Sequence, residues 1–248
     1  MENTFLIGLS KQVAVQRSMD VIANNLANMA SPAFKREAVQ FEEYLIPVEA
    51  SAEQGGGMVD LSFVLDRGVV RDLSDGRLET TGAPFDMALK GPGYFVVQTP
   101  EGERYTRNGH FSLDQAGRLV TDDGYAVQGE GGEIAITPED GAMHVAQDGT
   151  ISTQLNQLGR FRIVTFADER ALRKAGSGLY IAEDQQAQAA EKVSLHQGMI
   201  EKSNVEPVIE IARMIEVMRA YSASADIAKT SQDMLKRAIE RLGAVPQS

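Results

Sequence analysis

The stretch IARMIEVMRAYSASADIAKTSQDMLKRAIERL, residues 211–242, decides the fold prediction because it contains neither glycine nor proline. Pro207 precedes it at a position that the first turn of a helix tolerates, and Gly243 follows as a typical stop. We predict one long helix over 204–242, about 58 Å long at 1.5 Å per residue. Along one face, residues are spaced alternately three and four apart, as in a coiled-coil seam: Ile211, Met214, Met218, Tyr221, Ala225, Ala228, Gln232, Leu235, Ile239 and Leu242.

The first 31 residues carry a shorter stripe of the same kind, with Val15, Met19, Ile22, Leu26 and Met29 spaced four and three apart. This spacing predicts a second helix, and two seams at opposite ends of one chain suggest that they pair. The pair either closes a monomeric domain or packs between subunits. Because a two-helix ribbon buries one seam per helix and is marginal alone, its length favours neighbouring subunits.

Three asparagines lie near the end of this N-terminal helix, in ANNLANMASPAFKR (23–36). A buried amide is costly without partners, and the helical spacing brings Asn24, Asn25 and Asn28 close together. We expect them to hydrogen-bond the helix end, the departing loop and neighbouring subunits. A solvated polar patch, or an asparagine ending the helix in the left-handed conformation, is the alternative.

The middle of the chain, residues 32–200, is glycine-rich and has frequent turn signals. Asn108-Gly109, Asp123-Gly124 and Asp148-Gly149 each lie between β-prone runs, which predicts hairpins. We predict an antiparallel β domain of eight to ten short strands. The predicted fold class is therefore α+β, in which long N- and C-terminal helices pair as a coiled-coil-like helical domain beside a central antiparallel all-β domain.

The predicted domains follow these zones. The terminal helical domain comprises residues 1–31 plus 204–248. An extended linker region comprises 32–75 plus 190–203 and contains a flexible loop at 51–57. The β domain comprises 76–189.

Composition excludes several kinds of function. The formal net charge of −11 argues against a nucleic-acid partner, and the absence of cysteine removes disulfides, thiolate metal sites and cysteine nucleophiles. No apolar run reaches the roughly 18 residues of a membrane span, so we expect no membrane insertion. The N-terminus lacks a basic region before a long apolar core, so we expect no cleaved signal peptide.

A search for catalytic residues finds no local cluster. His110, His144 and His196 lie far apart, and Asp122-Asp123 is better explained as a turn than as a calcium loop. We therefore predict no enzyme activity, no catalytic or metal-binding residues, no cofactor and no small-molecule substrate.

Three stretches resemble a known family. ANNLANMASPAFKRE (23–37) resembles the N-terminal signature of the bacterial flagellar axial proteins, the rod, hook and hook-associated subunits. EKSNVEPVIEIARMIEVMRAYSASADIAKTSQDML (201–235) resembles their C-terminal signature, and residues 80–132 are similar to the β domain shared by rod and hook proteins. The likeness covers nearly the whole chain in the right order. It implies that both chain ends line the core of a tubular assembly, with the β domain outside.

Within this family, the length and the single β domain indicate a rod protein. QFEEYLIP (40–47) and RMIEVMRAY (213–221) resemble the proximal rod subunit, whereas the distal one usually has glutamine at the position of Met218. Ser31 and Ala33 stand where the family commonly has threonine and glycine. Because alanine takes positive φ less freely than glycine, the turn at Ala33 departs from the family pattern.

The resemblance implies a structural subunit that polymerises into the periplasm-spanning drive shaft transmitting torque to the hook. Expected partners are copies of itself, other proximal and distal rod proteins and the flagellar export apparatus; the expected location is the basal-body rod. We expect the end helices to order when they pack against neighbours. The predicted interface residues are Val15, Met19, Ile22, Asn24, Asn25, Leu26, Asn28, Ile211, Met214, Met218, Tyr221, Ala225, Ala228, Leu235, Ile239 and Leu242.

Three alternatives remain at this point. The first is a distal rod subunit. The second is a cell-wall-binding β module, which would need an exposed aromatic or apolar patch with Tyr94, Phe95 and Tyr105 as candidates. The third is an enzyme acting on peptidoglycan, which would need two carboxylates in a cleft.

Overall fold

The computed structural model describes residues 2–49 and 58–243. These residues form two α-helices, two short 3-10 helices (Pro138–Asp140 and Glu169–Ala171) and nineteen strands. The α-helices are α1 (Glu2–Ala27) and α2 (Pro207–Gly243). The strands are β1 (Glu37–Glu49), β2 (Met58–Arg71), β3 (Leu78–Thr80), β4 (Met87–Lys90), β5 (Tyr94–Thr99), β6 (Gly102–Thr106), β7 (Ser112–Leu113), β8 (Leu119–Val120), β9 (Ala126–Gly129), β10 (Gly132–Glu133), β11 (His144–Val145), β12 (Thr150–Ser152), β13 (Gln157–Arg160), β14 (Ile163–Thr165), β15 (Arg173–Gly176), β16 (Leu179–Ile181), β17 (Gln188–Ala189), β18 (Ser194–Gln197) and β19 (Met199–Glu201).

The chain divides into two compact units. The helix–hairpin unit comprises Met1–Ala27, Glu37–Arg71 and Glu206–Ser248, and the β unit comprises Asn28–Arg36 and Asp72–Val205. The flexible loop predicted at 51–57 lies outside the described residues. These units are defined by packing, and the predicted division into domains stays a prediction.

In the helix–hairpin unit, a long antiparallel hairpin accompanies the two helices. β1 pairs with β2 from Glu37 opposite Arg71 to Glu49 opposite Met58, with a bulge between Gln40 and Phe41. Helix α1 contacts α2 and both strands of the hairpin. The apolar surface of α1 is therefore shared between a helix and a sheet.

This arrangement corrects the predicted fold class. The helix–hairpin unit is not a coiled-coil-like helix pair, because the hairpin also packs on α1 and because Ile211 and Met218 of the predicted seam are half exposed. Only the broader α+β composition agrees in part with the structure. Residues 37–49 and 58–71, which belong to the predicted linker region, form β1 and β2, and Pro47 lies within β1 because an edge strand tolerates proline.

Helix α2 begins at Pro207 and ends at Gly243, close to the predicted ends. Ser203 and Asn204 lie before it. The Ser203 hydroxyl accepts a hydrogen bond from the Val205 N–H, and the Asn204 side chain binds other segments of the β unit. Among the described residues, no helix combines the length and apolarity needed to cross a membrane.

The β unit is built on a ten-stranded sheet. Seven of its strands follow the order β15-β16-β6-β5-β9-β8-β7, and the other three are β10, which pairs with β9, β14, which pairs with β5, and β17, which pairs with β14. β11, β12 and β13 form a second sheet, and β18–β4 and β19–β3 form separate pairs. Strand β5 pairs with β6, β9 and β14 in antiparallel fashion, so it lies at the centre of the unit.

Alternate residues of β5 enter two different cores. Phe95 and Val97 pack in the larger cluster, and the Phe95 ring lies edge-on to Phe111 at 5.1 Å between centroids. Tyr94 and Val96 pack in the smaller cluster. Since Tyr94, Phe95 and Tyr105 are all buried, the exposed aromatic patch suggested for cell-wall binding does not exist at those residues.

Two of the three predicted hairpins are confirmed. Asp123-Gly124 joins paired β8 and β9, and Asp148-Gly149 joins paired β11 and β12. The hairpin predicted at Asn108-Gly109 is wrong, because β6 pairs with β5 and β16 whereas β7 pairs with β8. The Gly109 carbonyl instead accepts a hydrogen bond from the Met87 N–H at 2.8 Å.

Candidate subunit interface

Asn25 joins the end of α1 to two other elements of the helix–hairpin unit. Its fully buried amide donates to the Glu37 carbonyl at 2.7 Å and accepts from the Glu37 N–H at 2.9 Å. The same Nδ2 donates to Oε2 of Glu210, in the first turn of α2, at 3.0 Å. Asn25 therefore substitutes for a backbone partner of β1 while it contacts α2.

Glu210 is buried and has a second partner. Its Oε1 accepts a hydrogen bond from Arg213, one turn later in α2, at 2.8 Å. A buried carboxylate is costly unless it is paired, and here a guanidinium and an amide both bind it. The contact fixes the start of α2 against the end of α1.

The other two asparagines lie in different surroundings. Asn24 is exposed, and Asn28 is half-buried in the turn that follows α1. There the Asn28 Oδ1 accepts from the Ser31 hydroxyl at 3.2 Å, and its carbonyl accepts from the Ser31 N–H at 3.1 Å. The spacing that brings the three together on a helix does not reveal that only Asn25 faces the interior.

Ala33 adopts a left-handed backbone conformation, which glycine takes more readily than alanine. Its φ is +55°, in the left-handed region, and its N–H donates to the Glu201 carbonyl at 2.8 Å. The residue is buried, so the surrounding contacts hold the turn despite the steric cost that a Cβ brings there.

The β unit contains a buried ion cluster formed by Lys35, Arg107 and Glu201. The Glu201 carboxylate accepts from Lys35 Nζ at 2.7 Å, from Arg107 Nε at 2.8 Å and from the Gly76 N–H at 2.8 Å. Lys35 also donates to the Ser74 carbonyl at 2.7 Å. The Glu201 carboxylate thus hydrogen-bonds three segments of the chain that are distant from it in sequence.

Arg107 extends this cluster through its remaining N–H groups. It donates to the carbonyls of Gly91 and Gly93 at 2.8 and 3.1 Å, and to Asp75 at 2.6 Å. Burial lowers the pKa of the Lys35 amine, whereas the charge of Glu201 and its hydrogen bond oppose that shift. The charges are stable in the interior because each has opposite charge and hydrogen bonds within reach.

Asn204 holds the neighbouring backbone in the same part of the β unit. Its Oδ1 accepts from the Arg36 N–H at 2.7 Å, and its Nδ2 donates to the carbonyls of Asp72 and Ser74 at 3.0 and 3.1 Å. The segments at 36, 72 and 204 are those by which the chain enters or leaves the unit. The sequence did not predict the contacts of this amide or the ion cluster.

The predicted interface residues differ in accessibility. Ile22 and Asn25 are buried, and Asn24, Ile211 and Met218 are exposed. The side chains of Ala228, Leu235, Ile239 and Leu242 lie outside the described set. The remaining members are half-buried: Val15, Met19, Leu26, Asn28, Met214, Tyr221 and Ala225.

Helix α2 has an apolar stripe that points outward, formed by Val208, Ile211, Ile215 and Met218. Their exposed fractions are 81%, 50%, 47% and 51%, respectively. Spacings of three, four and three place them along one line of the helix. The stripe is therefore distinct from the face that carries Met214 and Tyr221, the latter of which accepts a hydrogen bond from Gln12 of α1 at 3.2 Å.

Comparison with known proteins identifies the family of this chain. A family described as "Flagellar hook protein FlgE/F/G D1 domain" matches residues 88–153, and one described as "Flagellar basal body rod FlgEFG protein C-terminal" matches residues 196–241. The flagellar basal-body rod protein FlgF of Caulobacter vibrioides is 37% identical over 99% of this chain and 100% of its own length. The chain belongs to the flagellar basal-body rod proteins.

Other relatives agree with this assignment. FlgF of Mesorhizobium japonicum is 31% identical over 98% of this chain and 99% of its own. FlgG of Buchnera aphidicola subsp. Schizaphis graminum is 34% identical over 90% and 94%, respectively. The predicted family, the structural role in the flagellar rod and the location in the basal body are confirmed. Rod family members assemble with other rod and basal-body proteins, so the outward surfaces of the chain are its candidate functional sites.

Proposed function

We propose that this chain is a proximal rod subunit of the FlgF type that acts through assembly and not through catalysis. The observation that carries the proposal is the match to a FlgF over the full length of both chains, at 37% identity. The FlgG relative named above is 34% identical but covers 90% of the chain. Both belong to the same family, so the distinction concerns position along the rod.

Assembly occurs through the helix–hairpin unit. Of the predicted interface residues, the exposed Ile211, Met218 and Asn24 contact neighbouring subunits. The buried Ile22 and Asn25 act within the chain, because little of their surface is accessible to a partner. The half-buried members and the distal seam residues Ala228, Leu235, Ile239 and Leu242 complete the contact as neighbours pack around both helices.

The terminal helices become fully ordered during assembly, after the subunit has passed through the flagellar export apparatus. The outward stripe supports this order of events, since α2 leaves apolar surface uncovered in the single chain. Amide hydrogen exchange tests it. We expect weak protection across 208–242 in free subunits and strong protection in purified basal bodies; strong protection in the free subunit would contradict the proposal.

The position along the rod can be tested by labelling. A small folded tag would be inserted at Gly131, an exposed residue in the turn between β9 and β10. Cryo-electron tomography of flagellated cells that carry only the tagged chain should show extra density at the base of the rod. Density next to the hook would instead identify a distal subunit, and its absence from the rod would overturn the proposed function.

A further inference from the structure

Helix α1 and strand β2 enclose an apolar groove in the helix–hairpin unit. Its volume is about 400 Å³, and Leu9, Val13 and Ala14 line it together with Phe63 and Val64. Leu9 and Val13 remain 47% and 61% exposed. The chain therefore has a concave apolar surface on α1 and β2, and a convex apolar surface, the outward stripe, on α2.

We propose that the groove binds the outward stripe of α2 from a second copy of this chain. This inference rests on the proposed function and specifies which surfaces meet between adjacent subunits. The stripe presents three branched or flexible side chains within three turns, Ile211, Ile215 and Met218, which suit a groove lined by aliphatic groups and one phenyl ring.

The charges of the groove support an apolar occupant. Arg17 and Asp66 also line it, and they pair with each other, with Nε and Oδ2 3.6 Å apart. The stripe itself carries no charged side chain. Docking of the stripe in the groove would therefore bury apolar surface without leaving an unpaired charge away from water. Burying an unpaired charge is the usual energetic cost that opposes such a contact.

The geometry of the contact explains why it leads to a polymer. The groove and the stripe are different surfaces of one unit, so a contact between them is heterologous and leaves a free groove and a free stripe on every pair. Four partly exposed side chains offer far less than the roughly 800 Å² per partner that stable pairs bury. A single contact is thus weak in solution, and repeated contacts in an array stabilise one another.

Cysteine cross-linking tests the contact directly, because the natural chain has no cysteine. Val13→Cys with one epitope tag and Ile215→Cys with another would be co-expressed in cells that lack the natural chain. After mild oxidation of purified basal bodies, we expect a disulfide-linked dimer that carries both tags. Either variant alone should give no dimer, because a heterologous contact does not bring two identical positions together.

Matched control pairs use exposed neighbours outside the two surfaces. Lys11→Cys replaces Val13→Cys on α1, and Glu216→Cys replaces Ile215→Cys on α2. We expect at least about tenfold less dimer from each control pair, since disulfides form only within a narrow range of Cα separations. Equal yields from control and test pairs would overturn the inference.

A compensating pair of charges provides a second test that does not depend on oxidation. Val13→Asp and Ile215→Lys should each reduce incorporation into basal bodies at least about tenfold, and the double variant should recover most of it through a new ion pair. If the natural chain is absent from basal bodies, the proposed function fails. If chains are incorporated but neither cross-linking nor recovery occurs, only the groove contact is wrong.

Discussion

The two units of this chain treat their apolar side chains differently. In the β unit, Phe95, Val97 and Leu119 are fully buried, and two separate cores enclose the central strand. In the helix–hairpin unit, Val13 and Val208 remain mostly exposed although both lie on long regular helices. The β unit buries these side chains within its own cores, whereas the helix–hairpin unit leaves apolar side chains exposed to solvent. The β unit thus has extensive buried cores, whereas the helix–hairpin unit exposes the apolar surface on which the proposed assembly depends.

The two units also differ in their buried polar groups. The β unit contains a cluster of three buried charges with many hydrogen bonds, whereas the helix–hairpin unit depends on Asn25 and Glu210. Mutations in the first should therefore unfold the body, and mutations in the second should loosen only the helices. Hydrogen exchange on peptides from each unit separates the two effects.

The largest effect is expected from Gly109→Ala in the β unit. A Cβ at Gly109 would lie 1.6 Å from the Met87 carbonyl oxygen, so the backbone has to move. We expect a loss of at least about 4 kcal/mol in the free energy of unfolding, measured by urea titration. Gly131→Ala is the control, because no atom lies within 4 Å of the added carbon, and it should change stability by less than about 0.5 kcal/mol.

Glu201→Gln should come next, because it removes the one carboxylate that both buried cations share. Lys35 and Arg107 would remain buried with insufficient negative charge, which typically costs about 3–5 kcal/mol. The exposed pair between Lys202 and Glu79, 2.8 Å apart, provides the control. Glu79→Gln should cost less than about 1 kcal/mol. Equal effects of the two substitutions in urea titrations would show that the cluster does not stabilise the β unit.

Asn25→Ala should affect the other unit. It removes hydrogen bonds to Glu37 and leaves the buried Glu210 with one partner fewer, for an expected loss of about 2–3 kcal/mol. Hydrogen exchange should rise in α1 and β1 and stay unchanged in β5. The exposed Asn24→Ala should change exchange little. A uniform rise across both units would mean that they unfold together.

Ala33→Gly should raise stability slightly, by about 0.5 kcal/mol. Relief of the left-handed strain outweighs the lost methyl burial and the greater freedom of glycine in the unfolded chain. Ala88→Gly, in buried strand β4 with ordinary backbone geometry, should lower stability by about 1 kcal/mol. Thermal unfolding of the two variants should therefore shift in opposite directions, and a shift in the same direction would exclude backbone strain at Ala33.

The smallest effect concerns pH. Hydrogen bonds from the Thr150 N–H and hydroxyl lower the pKa of Asp148 in the folded chain. Its stabilising contribution is therefore present above the ordinary pKa of aspartate, about 4, and is lost as the pH falls through the lower folded value. Urea midpoints at pH 6 and pH 3 should differ less in Asp148→Asn than in the natural chain; an unchanged difference would contradict this.

Local sequence signals predicted the ends of α2 and two of the hairpins because proline and glycine act at short range. The apolar pattern of α2 did not determine which face meets α1, since Met214 and Ile215 both fit a spacing of three and four. The ion cluster joins Lys35 to Glu201 across 166 positions, and only the fold brings them together. The spacing among the asparagines alone does not separate Asn25 from Asn24. The apolar stripe does, because Asn25 lies three residues after Ile22 and borders the stripe, whereas Asn24 lies two residues after it.

The Asn204 side chain holds the two ends of residues 72–205 together, since its amide lies 3.0 Å from the carbonyl oxygen of Asp72. An inserted module whose ends meet can be enlarged, shortened or exchanged for another without altering the path of the chain on either side. The helix–hairpin unit could thus remain constant while the β unit changes in size and shape. Relatives could in this way diversify the β unit while keeping the two terminal helices.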